Sequence, residues 1–95
     1  MADDGISITH NHGRKRYEIH VEDELAGVLD YRDREGVLDL YHTGVEPQFG
    51  GRGLGARIVE FALTEARDSG SKVIPTCSFV AGYLGKHPEF SDVVA

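Results

Sequence analysis

The chain has 95 residues, 40% hydrophobic and 27% charged, a balance that suits one soluble globular domain over residues 1–95 with no room for a separate substrate domain. Its net charge of −6 argues against a general nucleic-acid-binding surface, and the only basic run, Arg14-Lys15-Arg16, is short. No stretch approaches the roughly 18 apolar residues of a membrane span, Met-Ala-Asp-Asp is no signal peptide, and the lone Cys77 permits no intrachain disulfide, so a cytoplasmic protein is expected.

Taken in order, residues 1–5 read as a frayed, disordered terminus. Ile6 to His10 alternates as a short strand, and Asn11-His12-Gly13 signals a turn. Arg16 to Glu22 alternates again, with Tyr17, Ile19 and Val21 on one face. Asp23-Glu24 is a tight turn. Leu25 to Arg32 is a third strand, with Gly27 as the mark of a bulge. Asp33 to Gly36 is a hairpin loop, and Val37 to Val45 a fourth strand. Its two faces read as Val37, Asp39, Tyr41, Thr43, Val45 and as Leu38, Leu40, His42, Gly44.

A glycine-rich loop follows, then a helix from Leu54 to Ser69 with one broad apolar stripe and Gly70 as its C-cap. Lys72 to Thr76 is a short fifth strand. Ser78 reads as the N-cap of a last helix ending at about Lys86, before Pro88. Phe90, Val93 and Val94 form either a last short strand or a packed tail. The expected fold class is α/β (α+β), with a mixed, mostly antiparallel sheet. The crossover between the fourth and fifth strands is long enough for a parallel connection, and strands parting at its glycine loop would open a cleft.

In that loop Gly50, Gly51, Gly53 and Gly55 remove side chains where the backbone must come close to something. Successive N–H groups there, with the positive end of the next helix, suit an anion, and phosphate first. A P-loop would need a following Gly-Lys-Ser/Thr, which is absent. The dinucleotide fingerprint places its last position on Ile58 or, as a tolerated variant, on Ala56. The bland alternative is a strand-to-helix turn without a ligand. Gln48, Gly51 and Gly53 fit a third pattern, Gln/Arg-x-x-Gly-x-Gly/Ala.

That third pattern resembles the acetyl-CoA pyrophosphate loop of the GNAT superfamily, the general-control-related N-acetyltransferases. His-Thr-x-Val at His42 to Val45, the loop at 48–55, Pro-Thr-Cys-Ser at Pro75 to Ser78 and Lys-His-Pro-Glu-Phe at Lys86 to Phe90 are similar to its compact single-domain branch. The resemblance extends over most of residues 16–90. It implies a GNAT-like sheet with a central splay, a glycine loop leading into a long helix, and a second C-terminal helix. It implies acetyl-CoA as cosubstrate, bound by Val45, Gln48, Phe49, Gly50, Gly51, Arg52, Gly53, Leu54 and Gly55; no metal is expected. The acceptor would be a primary amine of a protein, a peptide or a small molecule; few residues remain to wall in a small substrate, which favours a protein or peptide amine. The chain would act as a monomer or weak homodimer, without nucleic acid or membrane. The Val45 amide would face the thioester oxygen, where one oriented donor contributes about 3 kcal/mol to the transition state.

The acid and base are read from residue chemistry. His42 suits proton transfer at neutral pH, with Asp39 and Glu46 as other candidates. Superfamily members often carry a proton-donating tyrosine two residues before a Lys/Arg on the last helix. Before Lys86 that position is Leu84, and Tyr83 points about 100° away from it. Cys77, beside a helix start, would either take the acetyl group itself, activated by His42, or replace the tyrosine as proton donor; otherwise it is a small buried hydrophobe. His10 and His12 are spaced as strand ligands can be, but no third ligand stands near them in sequence. The displaced tyrosine motivates one alternative, a CoA-binding module with little or no transferase activity. A plain interaction domain that has kept the fold is the other.

Overall fold

A computed structural model describes residues 5–95; residues 1–4 of the expected frayed terminus lie outside the described residues. The elements are β1 (Ile6–Asn11), β2 (Arg16–Val21), β3 (Glu24–Arg34), β4 (Val37–Val45), α1 (Leu54–Ser69), β5 (Lys72–Ile74) and α2 (Ser78–Lys86). Two 3₁₀ helices, Pro47–Phe49 and Pro88–Val93, join them. The five strands form one sheet in the order β1-β2-β3-β4-β5, antiparallel except for β4 with β5. The class is α+β, as the pattern of strands followed by strand–helix–strand requires.

Two-residue turns with positive φ close two hairpins, at Glu22-Asp23 (51° and 73°) and at Glu35-Gly36 (58° and 90°). This geometry matches the right-handed twist of the strands it joins. The first turn thus falls one residue earlier than Asp23-Glu24, and β3 runs two residues past Arg32. The Gly5 carbonyl accepts the Glu22 N–H at 2.8 Å.

One face of the sheet is covered. Tyr17, Ile19, Leu29 and Leu40 meet Leu54, Ile58, Val59, Ala62, Leu63 and Ala66 of α1, all essentially removed from water. Burying each Leu, Ile or Val side chain contributes about 1.5–3 kcal/mol, and this apolar stripe docks α1. Gly70 caps α1 with φ 76°, its N–H reaching the Ala66 and Arg67 carbonyls. The tail after α2 is a 3₁₀ helix packed on the core, and past it Val94 makes a single parallel bridge to Val73 of β5. The 3₁₀ helix buries Phe90 and Val93, and Arg67 clasps it by donating to Asp92 and to the Glu89 carbonyl.

Two bulges interrupt the sheet. In the first, Ile19 faces Gly27 while His20 faces Leu25, so Ala26, beside Gly27, is the extra residue. In the second, Asp30 faces His42 while Tyr31 faces Leu40, so Tyr41 is extra. A bulge turns two consecutive side chains to one side and inverts the alternation beyond it. Leu38 and Leu40 pack on the core before Tyr41, and Val45 packs there after it. The continuous alternation expected for the fourth strand therefore breaks at Tyr41.

β4 and β5 pair only over Val37–Asp39 and Lys72–Ile74. Beyond them the Cys77 N–H still reaches the Leu40 carbonyl (2.8 Å), and then the strands part. This is the central splay. Asp39, buried at the last paired position, accepts from Thr76 Oγ1 and faces Arg34 (3.5 Å) and Arg32 (3.9 Å).

At Gly27 a Cβ would stand 2.9 Å from the Gly44 carbonyl oxygen and 3.2 Å from Ile19 Cγ2. Neither backbone nor core can yield there. Gly27→Ala is expected to cost about 1–3 kcal/mol by overpacking. Urea unfolding checks this, and an unchanged midpoint would contradict the packing described.

Candidate functional site

The loop from Val45 to α1 starts with the 3₁₀ turn, in which the Gly50 N–H bonds the Pro47 carbonyl and Phe49 drops into the core. Gly51 (φ 81°) and Gly53 (φ 72°) then take left-handed conformations that side-chain-bearing residues avoid. Gly53 is the N-cap of α1 and no side chain caps the helix. The N–H groups of the first turn are thus left for a ligand, at the positive end of a 16-residue helix.

The loop opens on a hollow of about 370 Å³ lined by Val45, Gly50, Gly51, Gly53, Gly55 and Phe79. Ala56 and Phe79 also line a second hollow, of about 400 Å³, with Gly82, Tyr83, Lys86 and His87, so the two form one groove. Gly55 permits this shape, since a Cβ there would come within 2.9 Å of the Phe79 ring. Phe79 keeps 46% of its surface exposed, an apolar wall along the groove. Leu54 is buried in the core beneath the loop. Gln48 is exposed on the 3₁₀ turn and does not line the hollow, and the Arg52 guanidinium lies 5.5 Å from the Phe49 ring centre.

The groove ends at the edge of β4 that β5 has left. The Glu46 N–H bonds the Ala26 carbonyl of β3 at 2.7 Å. N–H groups alternate sides along a strand, so the Val45 N–H points to the opposite, parted edge.

Cys77 is the N-cap of α2, one residue before the expected Ser78. Its Sγ lies 3.4 Å from Thr43 Oγ1. Partial burial pushes the thiol pKa up, but hydrogen bonds from the Thr43 side chain and from the Val80, Phe79 and Thr43 backbone outweigh it, and the net shift is downward.

His42 has a different set of partners. Its Nδ1 is 3.0 Å from Asp30 Oδ2, on the sheet face away from α1. His42 and Thr43 are consecutive in an extended strand, so they leave opposite faces. The structure therefore brings Cys77 to Thr43, and the pairing of Cys77 with His42 as its activator is not what the fold makes. The imidazole lies over Gly44, where a Cβ would meet its Cε1 at 3.1 Å. A hollow of about 220 Å³ surrounds it, lined by Gly27, Gly44, Val45, Glu46 and Pro47. Val45 lines both hollows, one on each side of the strand.

Of the other candidates, Asp39 is held by two arginines and a threonine, away from both hollows, and Glu46 lines the His42 side. Tyr83 stacks on His87 (ring centres 4.0 Å apart), and burial raises its pKa, with Glu60 and Glu89 adding to the effect. Leu84 packs against the core. Sequence reasoning passed over Thr43, because only the bulge at Tyr41 turns it toward Cys77. It also passed over Asp30, whose pairing with His42 is set by register.

The family model for GCN5-related N-acetyl-transferases matches residues 16–93. The chain is similar to the solution structure of a GCN5-like candidate N-acetyltransferase from Staphylococcus aureus, with 25% identity and a TM-score of 0.74 over 98% of this chain and 91% of that one. It also shares its fold with the crystal structure of a candidate GNAT-family acetyltransferase from Desulfovibrio desulfuricans, with 21% identity and a TM-score of 0.53 over 81% of this chain and 51% of that one. No curated protein matches. The chain belongs to the GCN5-related N-acetyltransferase family.

A lowered thiol pKa keeps more thiolate at a given pH. Thr43→Val removes the side-chain donor, so the pH profile of Cys77 alkylation by iodoacetamide is expected to move to higher pH. A profile that stays in place would contradict the role given to Thr43.

Proposed function

We propose that this GCN5-related N-acetyltransferase moves the acetyl group of acetyl-CoA to a primary amine, acting as a single minimal domain. The observation that carries this reading is the uncapped glycine loop at the head of α1, opening on a groove that ends at the Val45 amide. The residues present fit the cosubstrate. Gly50 to Gly55 offer backbone N–H groups to the pyrophosphate, and Lys86 stands along the same groove for a further phosphate. The pantetheine arm would follow the free edge of β4, with the Val45 N–H on the thioester oxygen.

Cys77 and His42 stand on opposite faces of β4, which favours direct transfer over an acetylated cysteine. The amine enters from the His42 side. Asp30 holds Nδ1, so Nε2 takes the proton as nitrogen attacks the thioester carbon. The carbon–sulfur bond breaks, and the Cys77 thiol gives its proton to the departing CoA sulfur. The Thr43, Phe79 and Val80 donors stabilise the thiolate left behind, which water reprotonates. The acceptor hollow is shallow and open, which favours a protein or peptide amine. A second reading, a CoA-binding module with little transfer, is favoured by Leu84 standing where relatives carry the tyrosine.

Initial rates of CoA release, with acetyl-CoA and amine both varied, test the proposal. Intersecting double-reciprocal lines are expected, with His42→Gln and Cys77→Ala each lowering kcat/KM by roughly 10²- to 10⁴-fold. Parallel lines with one acetyl group on Cys77 by intact mass would overturn direct transfer. Acetyl-CoA binding without release on any amine would leave the binding module.

A further inference from the structure

At the other end of α1 from the glycine loop, His10 stands next to last in β1 on its core-facing side, and His12 follows two residues later. His12 lies in the turn between β1 and β2, where the Lys15 N–H returns to the His12 carbonyl. Glu65 reaches them from α1. One ligand atom from each of His10, His12 and Glu65 can be chosen so that all lie within 4.8 Å of one another. His10 Nδ1 touches Glu65 Oε2, and His10 Nε2 is 2.6 Å from Tyr31 Oη. The His12 ring stacks on His10 with centres 3.7 Å apart, and Tyr17 stacks on His10 at 4.2 Å.

These residues line a cleft of about 210 Å³. Tyr17 lines it too, and its hydroxyl, in a side chain fully removed from water, has no hydrogen-bond partner among the described residues. Such an orphan in a native site calls for an explanation, and a ligand with its own water supplies one.

We propose that His10, His12 and Glu65 bind a divalent transition-metal ion of the zinc class, with water completing the coordination. Two imidazoles and a carboxylate form a donor set that suits zinc and its neighbours, and the water keeps the fourth position. Without metal, a proton between His10 Nδ1 and Glu65 holds the contact; the ion takes that proton's place. The Tyr31 hydroxyl then accepts from His10 Nε2–H, the orienting partner that metal-bound histidines carry. His12 is exposed, and its ring turns from the stack toward the ion without disturbing the core. The ion ties the β1–β2 turn to α1. Glu65 is twelve residues from Gly53, roughly 18 Å along the helix, so this site is separate from the acetyl-CoA groove and does not rest on the transferase reading.

The test is calorimetric titration of the full chain, stripped by chelator, with Zn²⁺, and a parallel Co²⁺ titration read by visible absorption. One saturable ion per chain is expected, with a four-coordinate Co²⁺ band and a Tm that rises with Zn²⁺. Glu65→Gln and His10→Gln should each weaken binding at least about tenfold. Tyr31→Phe, which keeps every ligand, should weaken it about 10- to 100-fold. His87→Gln, at the C-cap of α2 and outside the cleft of His10, His12 and Glu65, should leave the titration unchanged. Glu65 is half-exposed on the rim of α1, so its variant stays informative if the more buried His10→Gln fails to fold. No saturation at millimolar Zn²⁺, or equal affinity in Glu65→Gln, would overturn the proposal; the His10–Glu65 pair would then be a plain hydrogen bond.

Discussion

One extra residue in β4 decides which side chains meet the glycine loop. Tyr41 has no counterpart on β3, so the strand leaves its bulge with the alternation inverted. Without it, His42 and Gly44 would face α1 while Thr43 and Val45 faced solvent. With it, Thr43 turns to Cys77 and Val45 to the groove, and His42 moves to the other face beside Asp30. The bulge thus separates the two titratable groups by the thickness of a strand.

The second constraint is the early end of β5. Three paired positions hold it to β4, with Asp39 fixing the last of them through Thr76 and two arginines. Past that point the Thr43 N–H turns to the Cys77 sulfur and the Val45 N–H faces a gap. An open edge within a folded sheet is costly unless something covers it, and a ligand with amide groups of its own is a natural occupant. The start of α2 lies across the same gap, so that its first-turn N–H groups act on the Cys77 sulfur. Fold and electrostatics therefore converge on one short stretch of strand.

Much of this was legible in the chain. The bounds of α1 and α2 follow from an apolar stripe, from Gly70 and from Pro88. The glycine loop is readable because glycine takes the left-handed φ values found at Gly51 and Gly53 without steric cost. The partners were not legible. A bulge leaves no reliable mark on apolar periodicity, since Tyr41 fits either face, and so nothing in the His-Thr-x-Val stretch marks Thr43 as the partner of Cys77. Glu65 is 55 positions from His10 and lies outside the apolar stripe of α1. The third corner of the His10–His12 cluster exists only once α1 docks. Local chemistry shows in sequence, whereas pairings set by register and docking do not.

The central claim is that the loop at the head of α1 and the parted edge of β4 form one acetyl-CoA site. The most direct measurement is a two-dimensional amide NMR titration of the protein with acetyl-CoA. Shifts should concentrate on Gly50 to Gly55, Val45, Cys77 and the first turn of α2, and Glu65 and its neighbours should stay still. A spectrum unmoved at millimolar acetyl-CoA would mean that the glycine loop is only a turn, and the site described here would have no ligand.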